Sequence, residues 1–352
     1  MNTWIRRAFA ALTAIVLAAS VAACSGQSED TPSASSTADK DSVITVIAAS
    51  NQWGSLAKEL GGSYVDVTSI LNNTSTDAHD YEPTSNDISK FQHAQVAIVN
   101  GAGYDEWAVK AAEQSKAIVI DAANEGGKKT GDNPHVWFSS DVRVKTADAI
   151  TAAYEKIMPE HKAQFQELNE KWQAAEDKLE EQLATVAQAD DAMPYAATES
   201  VGEYLADDMG LKDVTPKGYK QAAANESEPT PSDIKQFTDL LKKGDAKMLI
   251  INSQEPSDMT DQLVSAADSG NVPVVDMTEQ MPSNYKGLHE WITEIIDQMQ
   301  ATQKKCAPAD SALPQTARSP KLRAVLFAIL CSTFMQQALS PSRYGQCSFC
   351  YG

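Results

Sequence analysis

Two α/β lobes with mainly parallel sheets, joined by one long helix, are what this sequence predicts, and three observations predict it. Short β-branched runs alternate with helical stretches from Val43 onward; the same style resumes after Tyr195; and between the two lies one uninterrupted helical pattern. Short apolar strands separated by helices are the pattern of a sheet buried on both faces.

In the first lobe, residues 43–157, the strands are Val43 to Ala48, Val65 to Ile70, Val96 to Val99 and Ala117 to Ile120. Gln52 to Leu60, Thr84 to His93 and Tyr104 to Gln114 are the helices between them, and Asp141 to Ile157 adds another. Asn100-Gly-Ala-Gly103 follows a strand but lacks the full dinucleotide-binding spacing, so it reads as a tight turn. Pro159 interrupts the helical pattern, and the linker, residues 158–189, then shows Phe165, Leu168, Trp172, Ala175, Leu179, Leu183 and Val186 at three- and four-residue intervals. A helix of that length spans roughly 40 Å. The second lobe, residues 190–301, offers strands at Tyr195 to Thr198, Lys247 to Ile251 and Val272 to Val275, and helices at Ser232 to Lys243 and Asp258 to Ala267. Tyr285 to Gln300 closes it with an amphipathic helix.

The flanks differ from this core. Residues 1–24 read as a lipoprotein signal peptide, with Arg6 and Arg7, an apolar run from Ala8 to Ala19 that is too short for a stable span, and Val21-Ala-Ala-Cys24. That last run resembles a bacterial lipobox, which implies lipid on Cys24. Residues 25–42, rich in Ser, Thr, Asp and Ala, read as a flexible tether holding a domain at the extracytoplasmic face of the cell membrane. Residues 302–352 carry four of the five cysteines and little acid; they read as a disordered or artefactual tail without assigned function.

The chain has 29 Lys and Arg against 48 Asp and Glu, a net charge of −19, which argues against nucleic acid as a partner and for a surface that attracts cations. Residues 25–305 hold no cysteine, so any metal there is bound through nitrogen and oxygen. Two runs supply the nitrogen: Thr76-Asp-Ala-His-Asp-Tyr-Glu-Pro83 and Asp132-Asn-Pro-His-Val-Trp-Phe138. In each, one imidazole follows an apolar stretch and is flanked by proline and aromatic residues. His79 and His135 are therefore expected to converge on a divalent ion.

With the lipobox, the two lobes and the long helix, these motifs resemble the solute-binding lipoproteins of bacterial zinc and manganese importers (cluster A-I, or cluster 9) over about residues 43–300. Ala78 and Asn133 depart from the commoner Pro and Asp of that family without removing a donor atom. The resemblance implies a metal site in the cleft between the lobes. It also implies a third ligand at Glu199, in Thr198-Glu-Ser-Val-Gly-Glu-Tyr204 with Gly210-Leu211 beyond, and a fourth, acidic ligand in Val272-Pro-Val-Val-Asp-Met-Thr-Glu279, where Glu279 is preferred and Asp276 is the alternative. The cargo implied is one Zn2+ or Mn2+, the partners a membrane permease and its ATPase, and the state a monomer. Asn225 to Asp233 resembles a loop at the cleft rim, and Trp53, Tyr104, Trp107 and Trp137 read as cleft-wall packing. His93, His161 and His289, with no acid at ligand spacing, read as surface or capping residues. The site expected is one of capture without chemistry. A surface adhesin of the same fold is the alternative function; a zinc hydrolase is disfavoured because four converging protein ligands leave little room for a reacting water, and no His-Glu-x-x-His helix occurs.

Overall fold

The computed structural model describes residues 43–76, 78, 81–187, 192–225 and 227–306. The signal peptide with Cys24, the tether, His79 and the tail beyond Cys306 lie outside the described residues. Among the described residues no helix is long and apolar enough to cross a membrane.

The first lobe is built from β1 (Ile44–Ser50), α1 (Asn51–Gly61), β2 (Val65–Leu71), α2 (Ser85–His93), β3 (Val96–Val99), α3 (Glu106–Glu113), β4 (Ile118–Asp121) and α4 (Ala122–Glu125). α5 (Ser140–Ile157) leads into α6 (Lys162–Ala187). The second lobe contains β5 (Pro194–Ala197), α7 (Glu203–Asp208), β6 (Lys212–Asp213), α8 (Lys217–Ala224), α9 (Pro231–Lys242), β7 (Leu249–Ile251), α10 (Asp258–Ser269), β8 (Val274–Asp276) and α11 (Leu288–Cys306).

Each lobe carries a four-stranded, all-parallel sheet, ordered β2-β1-β3-β4 in the first and β6-β5-β7-β8 in the second. The topologies are the same: the lobe's first strand lies inside, its second outside it, and the later two continue on the other flank. Sheets of this kind gather ligands beyond the carboxyl ends of their strands. β1 and β3 are buried almost throughout, as expected of strands covered on both faces.

The lobes share packing as well as topology. One core cluster joins Ile44 and Trp53 of the first lobe, Tyr195 and Ile250 of the second, Phe165 and Trp172 of α6, and Trp291 of α11. The last helix packs against the first lobe, with Trp291 and Phe138 ring centroids 5.1 Å apart. Buried Arg143 of α5 and Glu176 of α6 form an ionic cluster with half-buried His289 of α11: the guanidinium grips the carboxylate through Nε (3.1 Å to each oxygen) and Nη2, and Nε2 of His289 lies 2.8 Å from Oε2.

Several expectations need amendment. β6 and α8 were not foreseen; β6 is two polar residues long, and α8 buries only Tyr219. The closing helix runs to Cys306, past the boundary at 301. His289 does have an acidic partner, supplied from the linker helix by Glu176. The Asn100 turn is as expected, with Gly101, Ala102 and Gly103 all at positive φ (76°, 54° and 94°). Its amides are already engaged: those of Asn100 and Gly101 donate to Asp105 (2.7 and 2.9 Å). Burial raises the Asp105 carboxyl to about 7 even though these bonds oppose the shift.

Candidate metal centre

His135 stands at the end of the loop after α4, just before a single 3-10 turn, Val136–Phe138. Its own backbone N–H donates to Oδ1 of Asn133 (3.0 Å), and its Nδ1 lies 2.7 Å from the same oxygen. The Asn133 amide cannot be turned round, because its Nδ2 donates to the carbonyl of Ser200 (2.9 Å) and to Glu203 (3.1 Å). A carbonyl oxygen only accepts, so Nδ1 of His135 carries a proton, and in the neutral ring Nε2 is the nitrogen with the lone pair. The asparagine in this chain thus orients the imidazole as a metal-bound histidine is oriented by its outer partner. Trp137 holds the ring edge-on at 5.4 Å, and the residue is 4% exposed.

That lone pair points at a carboxylate. Nε2 of His135 and Oε1 of Glu279 are 3.3 Å apart, with Glu279 3% exposed. Two acceptors face each other across this gap, which calls for a cation or a proton between them. Donors bound at ~2.0–2.1 Å to a tetrahedral ion lie about 3.3–3.4 Å from each other, so the separation matches one edge of such a sphere. Glu279 comes from the loop after β8, and the first lobe clamps that loop: Gln52 donates to its carbonyl (2.5 Å) and Asn51 to that of Met281 (2.6 Å). Tyr104 donates to Oε2 of Glu279 (3.2 Å) and accepts from Gln280 (2.8 Å). Burial first, and then the charge of Glu279, push the Tyr104 phenol well above its ordinary range, so it stays a donor.

Glu199 follows β5 by two residues and is half-buried, with one oxygen receiving a hydrogen bond from Asn252 (3.2 Å). It meets Glu279 and a residue that sequence reasoning missed, Glu255, which follows β7. Each of the three offers a carboxylate oxygen within 4.8 Å of the others. Carboxylates at that separation repel by roughly 3 kcal/mol per pair at an effective dielectric of 20. The separations exceed the donor–donor edge of a tetrahedral ion by up to about 1.4 Å. Asp276, the alternative fourth ligand, is not brought here; it is exposed, and its carboxylate accepts from the backbone N–H (2.9 Å) and hydroxyl (2.6 Å) of Ser253.

His79 lies outside the described residues, although its neighbour Ala78 is fully buried and the Thr76 carbonyl accepts from Gln254 of the second lobe (3.1 Å). The rim loop ends in a helix cap, in which Thr230 and Asp233 bond each other reciprocally at the start of α9, while its Ser227 and Pro229 line the same cavity as His135 and Glu279. Trp53 and Trp137 are fully buried behind the site, Trp53 donating to Asn100 (3.0 Å) and Trp137 packing on the His135 ring. His93 sits against its own helix at Ser89 and His161 stacks on Tyr64, so neither joins the cluster. The signal that could have found Glu255 is its position: an acid followed by Pro256, a few residues beyond an apolar run, as the two histidines are.

Comparison with known proteins bears on this constellation. The sequence pattern of the family described as ZnuA, zinc-uptake complex component A, periplasmic, matches residues 46–302. The high-affinity zinc uptake system protein ZnuA of Bacillus subtilis is 26% identical over 266 residues, covering 70% of this chain and 81% of that protein. The manganese-binding lipoprotein MntA of the same organism is 26% identical over 252 residues, covering 67% and 79%. Among solved structures, the periplasmic zinc-binding protein TroA from Treponema pallidum superposes with a TM-score of 0.63 at 16% identity, over 74% of this chain and 99% of that one, a likeness of fold.

Proposed function

This chain belongs to the ZnuA family of zinc-uptake complex components, whose members are binding components of transporters rather than enzymes, and from that membership we propose that it captures one divalent cation, Zn2+ or Mn2+, and delivers it to a membrane permease and its ATPase. The ligands in this reading are His79, His135, Glu199 and Glu279. Two neutral imidazoles and two carboxylates balance the charge of a divalent ion, so the loaded cleft can close without a net buried charge. Lipid on Cys24 and the residues after it keep the domain, a monomer, at the outer face of the membrane.

The observation that carries this reading is Nε2 of His135 facing the Glu279 carboxylate at 3.3 Å inside a buried cleft, with Nδ1 engaged by Asn133. The shared core of the two lobes supports a small closure rather than a wide hinge. Metal analysis of protein purified without chelator tests it: the account expects one zinc or manganese per wild-type chain and little in His79→Ala or Glu199→Ala. Wild-type protein that remains metal-free in the presence of both ions contradicts it. For delivery, deletion of the chain is expected to abolish high-affinity uptake of the same ion, and for anchoring, Cys24→Ala is expected to release the protein from the membrane fraction.

A further inference from the structure

We propose that Glu255 is a fifth protein ligand, adding a carboxylate oxygen from the second lobe at the mouth of the site, and that it biases the site toward manganese over zinc. The proposal rests on the reading of the cleft as a cation site. Glu255 stands four residues beyond β7, as Glu199 and Glu279 stand beyond β5 and β8, so three neighbouring strands of one sheet each send an acid from their carboxyl ends to the same place. Unlike Glu279, which is held by Tyr104 and His135 in the buried wall, Glu255 is exposed. It is positioned to meet a hydrated ion first and to stay on it after entry.

A second observation points to the same spot. The hydroxyl of Thr198 is buried without a hydrogen-bond partner, in a residue 4% exposed. Thr198 lines the cavity, about 500 Å³, that also contains Glu199, Glu255, Glu279 and His135. A buried hydroxyl left in this way expects an acceptor or donor that arrives with the cargo, and a water still bound to the ion supplies one. The cavity is far larger than a bare ion needs, since a water occupies ~30 Å³.

Ligand count and ligand type then set the preference. Zinc is satisfied by four donors, and a set of two nitrogens and two carboxylate oxygens completes it. Manganese prefers more oxygen and a higher coordination number. A third carboxylate together with an ion-bound water provides both, so removing Glu255 harms manganese binding more than zinc binding.

The test is a competition titration of metal-free, full-length protein with Mn2+ and with Zn2+ for the wild type, Glu255→Gln and His135→Ala. Glu255→Gln is expected to weaken Mn2+ by at least about tenfold, the lower end of what supporting carboxylates contribute to metal sites, while Zn2+ changes less. Its metal-free melting temperature is expected to match or exceed that of the wild type, because the side chain is exposed and its charge is repelled by Glu199 and Glu279. Equal weakening of both ions, greater weakening of zinc, or no effect on manganese overturns the proposal while His135→Ala still loses both ions. If His135→Ala retains both ions, or the wild type binds neither, the reading of the cleft itself falls and the proposal falls with it.

Discussion

Among the described residues two histidine–glutamate ion pairs occur, and the surroundings of each tell them apart. In His289 and Glu176, 2.8 Å apart, the carboxylate is also gripped by Arg143, so charge and hydrogen bonds are complete within the protein. In His135 and Glu279, 3.3 Å apart, the histidine directs its Nδ1–H at Asn133 and its Nε2 at the glutamate, which also accepts from Tyr104. Two further carboxylates, Glu199 and Glu255, gather at the second pair instead. The first pair ties the linker helix to the last helix. The second gathers three carboxylates beside an imidazole, a set that suits a cation. A buried histidine–carboxylate contact is therefore not a functional signal in itself; what decides is whether the protein supplies the balancing charge.

The comparison can be broken at the structural pair. Replacing Arg143 with Leu leaves Glu176 buried without its counter-charge, and the expected cost is about 3–5 kcal/mol of folding stability. Denaturant unfolding in the presence of chelator measures it, and the folded fraction is expected to keep the affinity of the wild type for the ion. Acid probes the same pair. Burial raises the pKa of Glu176, but Arg143 and His289 outweigh it and hold the carboxyl at about 2, below its ordinary value of 4.5. A depressed carboxyl gives stability that is fully present above the unfolded value and is lost as pH falls through the folded one. The contribution at stake is about 3 kcal/mol, lost between about pH 4.5 and pH 2. Unfolding curves for Glu176→Gln across that window are expected to lose this pH dependence.

At the second pair the effects move from stability to binding. His135→Ala is expected to weaken the ion by more than ~100-fold, beyond the range set by supporting residues, with little change in the chelated protein's melting temperature. Asn133→Leu, which leaves the imidazole free to turn and to change tautomer, is expected to cost ~10–100-fold, and Asn133→Asp to restore most of it. Calorimetric titration with Zn2+ and Mn2+ reads both. The smallest effect belongs to Tyr104→Phe, which removes one hydrogen bond to Glu279 and is expected to cost about 1 kcal/mol of binding, or roughly fivefold.

The fold was largely legible because its strands are short, apolar and β-branched. Val96 to Val99, buried throughout, reads as strand from composition alone. β6 and α8 were hidden because Lys212–Asp213 has no apolar signature and Lys217–Ala224 buries a single side chain. At the site, His135 stood out as a candidate through its proline and aromatic neighbours, and Glu279 was preferred to Asp276 without the sequence deciding between them. Both are acids near one strand end, and only the strand's register shows that Asp276, paired with Ile251, turns outward to Ser253. Glu255 is one of 48 acidic residues, marked in the sequence only by the proline after it and the apolar run before it, and the sheet order that brings β5, β7 and β8 side by side makes it conspicuous. His289 was misjudged for a related reason: its acid lies 113 residues away, on a helix packed beside its own.

The most direct measurement is the anomalous scattering of crystals grown with Mn2+ or Zn2+. The account predicts one strong peak in the cleft, within about 2.0–2.3 Å of Nε2 of His135 and of carboxylate oxygens from Glu199 and Glu279. A peak elsewhere in the molecule, or an ion in the cleft that His135 does not touch, would contradict it.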